Sequence, residues 1–131
     1  MSKRVLIVED ELLVAMDIQD SLEAIGLVAL GPCASIREAM AALDDARPDC
    51  AILDVQLLDG EVFGVADRLA SHDVPIIFHS GHADQNALAL RYPSARICSK
   101  PCAPSVLERE VLRAVERHEP AERPVAMRAQ A

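Results

Sequence analysis

Five polar residues in this sequence stand at the ends of short apolar runs. Glu9 and Asp10 follow Val5-Leu6-Ile7-Val8, and Asp54 follows Cys50-Ala51-Ile52-Leu53. Ser80 closes the run that begins at Pro75-Ile76-Ile77-Phe78, and Lys100 follows residues 95–99. Three carboxylates brought together repel one another and resist full ionisation unless a cation enters. An all-oxygen donor set selects a hard ion, and Mg²⁺ takes one or two carboxylates while keeping waters and substrate oxygens. A carboxylate is also a nucleophile that can form an aspartyl phosphate. Phosphoryl transfer asks chiefly for alignment and for neutralisation of the charge on the phosphoryl oxygens. A metal held by Asp10, the ammonium group of Lys100 and the hydroxyl of Ser80 would supply both around Asp54.

Such a set works only if the fold brings it together, and the apolar pattern says how. Val5–Val8 is too brief for a helix and reads as a strand buried on both faces. Ala15, Ile18, Leu22 and Ile25 recur at helical spacing over Leu12–Ile25, with Gly26 as the stop. Leu27–Leu30 is a second strand, closed by Gly31-Pro32. Ser35 and Glu38 form a capping box ahead of the stripe Ile36, Ala39, Met40 and Leu43. Cys50–Leu53 is a third strand ending at Asp54. Asp59-Gly60 marks a turn before a helical face of Val62, Ala66 and Leu69. Pro75–Phe78 is the fourth strand. A short helix over Asp84–Tyr92, a fifth strand over Ala95–Ser99 and a last helix starting at Pro104 complete the order. Five strands alternating with five helices predict a parallel sheet covered on both faces. Ligands of such sheets sit beyond the carboxyl ends of the strands, which is where all five polar residues fall.

Composition narrows the classes of function. The formal net charge of -8 disfavours nucleic acid as a partner, because that affinity comes from Lys and Arg. No apolar run approaches the length of a membrane span, and the amino terminus lacks the features of a secretory signal. Four cysteines without such a signal point to a reducing cytoplasm and free thiols. Residues 1–119 are expected to form one domain, and 120–131 a disordered tail without periodicity.

Leu6-Ile7-Val8-Glu9-Asp10-Glu11, Asp54 after its strand, Ser80-Gly81 and Lys100-Pro101 together resemble the receiver domain of two-component response regulators. The resemblance covers Val5 to about Glu119 and implies a doubly wound, flavodoxin-like α/β fold with strand order 2-1-3-4-5. It further implies that Asp54 is the phosphoacceptor and that Asp10, Asp54 and the backbone oxygen of Gln56 bind Mg²⁺. Glu9 would act on the metal directly or through water, Lys100 would hold the phosphoryl group, and Ser80 would swing to hydrogen-bond it. The donor would be a sensor histidine kinase or a phosphotransfer protein, and the output a protein target that the sequence does not identify. A cis peptide at Lys100-Pro101 is also implied.

Some residues depart from that pattern. The loop after Asp54 is short and lacks the customary proline. Ile97 stands where many receivers carry an aromatic switch residue, and Cys102 stands where an aromatic is frequent. Phe78-His79-Ser80-Gly81-His82 is similar to a subgroup of stand-alone receivers with an altered fourth helix. Two other readings compete: a binding module that no longer uses phosphate, and a phosphatase of the haloacid dehalogenase type. The latter places its nucleophile in a paired Asp-x-Asp arrangement on the first strand, which this chain lacks. His79, His82, Cys98 and Cys102 lie near strand ends, but their spacing is not that of a standard structural zinc site. Tyr92-Pro93 reads as a helix stop rather than a contact.

Overall fold

The computed structural model describes residues 2–81 and 84–117. The parallel sheet consists of β1 (Arg4–Val8), β2 (Val28–Cys33), β3 (Cys50–Asp54), β6 (Ile76–Ser80) and β7 (Arg96–Ser99), in the spatial order β2-β1-β3-β6-β7. With the small antiparallel hairpin β4 (Gln56–Leu57) and β5 (Gly60–Glu61) set apart, this is the expected 2-1-3-4-5 order. The helices are α1 (Leu12–Ala24), α2 (Ile36–Asp45), α3 (Phe63–Ser71), α4 (Gln85–Arg91) and α5 (Pro104–Arg117).

Alternate residues of each strand feed two apolar layers, as the period of an extended chain requires. Leu6, Val8, Ala51, Leu53 and Phe78 pack with Ala39, Val65, Ala66, Leu69 and Leu88 of α2, α3 and α4. Val5, Ile7, Cys50, Ile52, Ile77 and Cys98 pack with Ile18, Leu22, Leu107, Val111 and Val115 of α1 and α5. The central strands β1 and β3 therefore show near-continuous burial instead of alternation.

Differences from the sequence expectation have local causes. Ile25 does not join the buried stripe of α1: the helix ends at Ala24 and Ile25 is exposed. Gly26 takes φ +89°, and the Leu27 amide donates back to the Leu22 carbonyl at 3.0 Å, which ends the helix. β2 runs on through Gly31-Pro32 to Cys33 instead of stopping at Leu30. A proline is tolerated there because β2 is an edge strand, which leaves one side of its ladder unpaired. Glycine is needed at 31, because φ is +96° and a Cβ would lie 2.6 Å from the Cys33 nitrogen.

The capping box at α2 is present: Ser35 Oγ accepts from the Glu38 amide at 3.1 Å, and Glu38 accepts from the Ala34 amide at 3.3 Å. A second cap was not legible in the sequence. Asp59, in the β4–β5 turn, accepts from the amides of Ile36 at 2.9 Å and Arg37 at 3.2 Å. The Ile36 amide leads in holding its carboxyl below the ordinary range. The loop that follows Asp54, which lacks the proline customary in the resembled family, is thus pinned by a carboxylate.

Tyr92 ends α4, in keeping with its reading as a helix stop, and also packs inside the fold. Its ring is buried, 5.2 Å from Phe78 and 6.3 Å from Phe63, and its hydroxyl donates to Asp67 at 2.6 Å. Tyr92→Phe should therefore cost about 1 kcal/mol in urea denaturation, the usual net worth of one hydrogen bond. A change below a few tenths would show that the hydroxyl contributes nothing.

Candidate functional site

In a parallel sheet all carboxyl ends share one edge, so the residues after β1, β3, β6 and β7 converge by topology. Glu9 and Asp10 leave β1, Asp54 ends β3, Ser80 ends β6 and Lys100 follows β7. One carboxylate oxygen from each of Glu9, Asp10 and Asp54 lies within 4.8 Å of the others. Lys100 Nζ is 3.2 Å from Asp54 Oδ1 and 3.5 Å from Glu9 Oε1. The strand ends are themselves tied, since the Lys100 amide donates to the Ser80 carbonyl at 2.8 Å. The Lys100-Pro101 peptide is cis.

The environments of these groups differ. Asp10 is partly exposed, whereas Glu9, Asp54 and Ser80 are buried. Ser80 Oγ donates to the Gly81 carbonyl at 2.9 Å, so the hydroxyl is engaged within its own loop. Gln56 is exposed, and its side chain donates to Glu61 at 3.3 Å.

Glu9 is the least comfortable member. Its side chain is 2% exposed, Oε2 accepts from the Glu11 amide at 3.1 Å, and buried Oε1 has no hydrogen-bond partner. Burial pushes its pKa up to about 7, with the Asp54 charge adding to the rise while the Glu11 amide and Lys100 oppose it. For Lys100, burial works against the charge, but the carboxylates of Asp54 and Glu9 outweigh it and raise the pKa. A buried carboxylate oxygen with no hydrogen-bond partner, neutralised only by the Lys100 ammonium at 3.5 Å and facing two further carboxylates, suits a hard divalent cation.

His79, which sequence reading weighed only for an unfavoured zinc site, lies against the carboxylate group. It sits one residue before Ser80, is buried, and places Nδ1 3.8 Å from Glu9 Oε1. Burial, with Lys100 nearby, lowers its pKa below the ordinary 6.5 against an upward pull from Asp54. The available signal was a polar residue in step with Ile77 on a buried strand, two positions away on the same face. Zinc is not supported by the geometry: among the described residues the three-membered group is Glu9, Asp10 and Asp54, and His79, Cys98 and Cys102 form no such group. His82 lies outside the described residues. Beneath Lys100 a cavity of about 470 Å³ opens between α1 and α5, its wall including Ile18, His79, Cys102 and Leu107.

The raised pKa of Glu9 has consequences for pH with a definite sign. Its folded-state value lies above its ordinary 4.5, so its contribution to stability is complete below 4.5 and is lost as pH rises towards about 7. Metal-free protein in chelator should therefore lose stability over that window, and Glu9→Gln should remove the loss. A divalent cation must displace the same proton, so Mg²⁺ affinity should weaken below about pH 7, by up to roughly tenfold per unit, and level off above it. Calorimetric titration at a series of pH values checks this; a flat profile from pH 5 to 8 would contradict it.

No described helix is long and apolar enough to cross a membrane. A family model described as the response regulator receiver domain matches residues 5–112. The Phyllosphere-induced regulator PhyR of Methylorubrum extorquens is 32% identical over 108 residues, which make up 80% of this chain and 40% of that protein. The chain thus spans about two-fifths of the length of this curated relative. The solution structure of the Erythrobacter litoralis PhyR response regulator REC domain matches with TM-score 0.79 and 28% identity, over 90% of this chain and 93% of that one. The crystal structure of the response regulator PhyR from Brucella abortus matches with TM-score 0.75 and 28% identity, over 88% of this chain and 49% of that one.

Proposed function

This chain belongs to the response regulator receiver domain family, and from that premise we propose that it accepts a phosphoryl group on Asp54 in a histidine-to-aspartate phosphorelay. The observation that carries the reading is the approach of Lys100 Nζ to Asp54 Oδ1 at 3.2 Å, beside a carboxylate group suited to a divalent cation. Glu9, Asp10 and Asp54, with the backbone oxygen of Gln56, would hold Mg²⁺, which supplies neutralising charge to phosphoryl oxygens when bound.

The chain's own groups divide the remaining work. The Asp54 carboxylate attacks phosphorus, and the electron pair of the breaking bond leaves with the donor. Lys100 keeps its proton, because its carboxylate neighbours raise its pKa, and its ammonium group offsets the charge on the transferred oxygens. Ser80 gives up its bond to the Gly81 carbonyl and donates to the phosphorylated side chain. Glu9, buried with His79 Nδ1 3.8 Å from its Oε1, would lend its carboxylate to the site when a cation is present. The donor is a histidine kinase or a phosphotransfer protein, and the signal leaves by protein–protein contact.

Incubation with a small phosphodonor such as acetyl phosphate and Mg²⁺ tests the proposal. Stoichiometric, acid-stable and base-labile phosphate is expected, and chelation of Mg²⁺ should abolish it. Absence of label with metal and donor in excess would leave a phosphate-independent binding module. Repeated turnover of a phosphate ester would instead favour a phosphatase.

A further inference from the structure

Among the described residues, the buried side-chain polar atoms without a hydrogen-bond partner are Glu9 Oε1, His79 Nδ1 and His79 Nε2. All three lie in one place: Nδ1 stands 3.8 Å from Oε1, and the two side chains are 8% and 2% exposed. An unpaired buried polar group is costly and asks for a reason. Two on facing side chains ask for a shared one. Topology sets their approach, since β3 lies between β1 and β6, and Asp54 stands opposite His79 in the ladder of β3 and β6. Glu9 and His79 thus meet from either side of the strand that ends at Asp54. Glu9 Oε2 is already held by the Glu11 amide at 3.1 Å. Oε1 has Lys100 Nζ at 3.5 Å as well as His79 Nδ1. Lys100 is shared, because its Nζ is also 3.2 Å from Asp54 Oδ1. The imidazole is not shared in this way: neither nitrogen has a hydrogen-bond partner, and its strand is buried along its whole length.

We infer that His79 is a positioning residue for the cation site: its Nδ1–H faces Glu9 Oε1 and keeps that carboxylate turned toward Asp10 and Asp54. The inference rests on the cation site of the function proposed above. At 3.8 Å the contact is longer than a hydrogen bond. It is an attraction between a ring N–H dipole and a carboxylate oxygen, and with water excluded from both groups it is weakly screened. The ring hydrogen belongs on Nδ1, because the nitrogen that faces an acceptor is the one that carries it. That holds whether the ring has one hydrogen or two. With the Glu11 amide on one oxygen and His79 against the other, the Glu9 carboxylate is oriented before a cation arrives. Partners that orient a ligating carboxylate in this way raise metal affinity without touching the metal.

Calorimetric titration of Mg²⁺ into the whole chain, without a phosphodonor, tests the inference. His79→Leu keeps the space filled and should bind Mg²⁺ about tenfold or more weakly, the usual loss when the partner that orients a ligand is removed. His79→Asn puts an amide nitrogen where Nδ1 stands and should restore most of the affinity. In a Glu9→Gln background, His79→Leu should weaken binding no further, because the group it acts through is already gone. A merely structural role would lower the denaturant midpoint and would not depend on Glu9. In metal-free wild type, nitrogen-15 spectra of the imidazole should show a hydrogen on Nδ1. The inference is overturned by a ring hydrogen on Nε2 alone, by His79→Leu protein that binds like wild type, or by folded His79→Asn protein as weak as His79→Leu. A loss of the same size after Glu9→Gln also overturns it. Wild-type protein that takes no Mg²⁺ would sink the proposed function together with this inference, whereas bound Mg²⁺ indifferent to residue 79 would sink the inference alone.

Discussion

Asp54→Asn is expected to leave no base-labile phosphate on the protein after treatment with a small phosphodonor and Mg²⁺. The amide has nearly the shape of the carboxylate, so the fold should persist, but it is not a nucleophile toward phosphorus. No neighbouring carboxylate is placed to substitute. Glu9 lies deeper, with one oxygen held by the Glu11 amide, and Asp10 has no ion pair with Lys100 among the described contacts. The same substitution removes one negative charge from the carboxylate group. Mg²⁺ affinity should fall about tenfold or more. The Glu9 pKa should drop, because Asp54 helps to raise it. Metal-free Asp54→Asn protein should in turn gain stability, about 1 kcal/mol, since sites kept for function are commonly strained. Intact mass and a denaturant midpoint measure both halves. Persistent label on the variant would move the phosphoacceptor elsewhere.

Phe78→Ala should be the most damaging change outside the site, costing about 3–5 kcal/mol in denaturant unfolding. Phe78 is fully buried in β6, and its ring meets Tyr92, which is in turn hydrogen-bonded to Asp67. Truncation would empty the centre of the layer shared by α3, α4 and the sheet. A typical domain has only about 5–15 kcal/mol in hand, so the variant should be marginal at 37 °C. The loss also propagates to function, because His79 and Ser80 follow Phe78 directly on the same strand. Phosphate acceptance should fall with the folded fraction and recover where a lower temperature restores folding. A cost below about 1 kcal/mol would mean that the neighbouring side chains collapse into the space.

Short β-branched runs, glycine stops and the alternation of element types were enough to set the parallel architecture, and parallel strands put their carboxyl ends on one edge. Glu9, Asp10, Asp54, Ser80 and Lys100 each fall where an apolar run ends, so their meeting followed from local pattern and topology alone. The continuation of β2 through Pro32 was less legible, because tolerance of proline depends on which strand lies at the edge. Other features depended on distances between residues far apart in the chain. Asp59 caps a helix that begins 23 residues earlier, and Tyr92 reaches Asp67 across 25 residues. Burial, with the Asp54 charge, pushes Glu9 up to about 7 against the opposing Glu11 amide and Lys100, and His79 faces it from another strand. Periodicity records which face of an element is apolar; it carries no information on which side chains of different elements end within 3–4 Å of one another. Electrostatics inside a protein depend on that separation and on the exclusion of water. The sequence by itself therefore determined the edge at which the chemistry lies, and only packing in three dimensions decided how hard each charge there is to sustain.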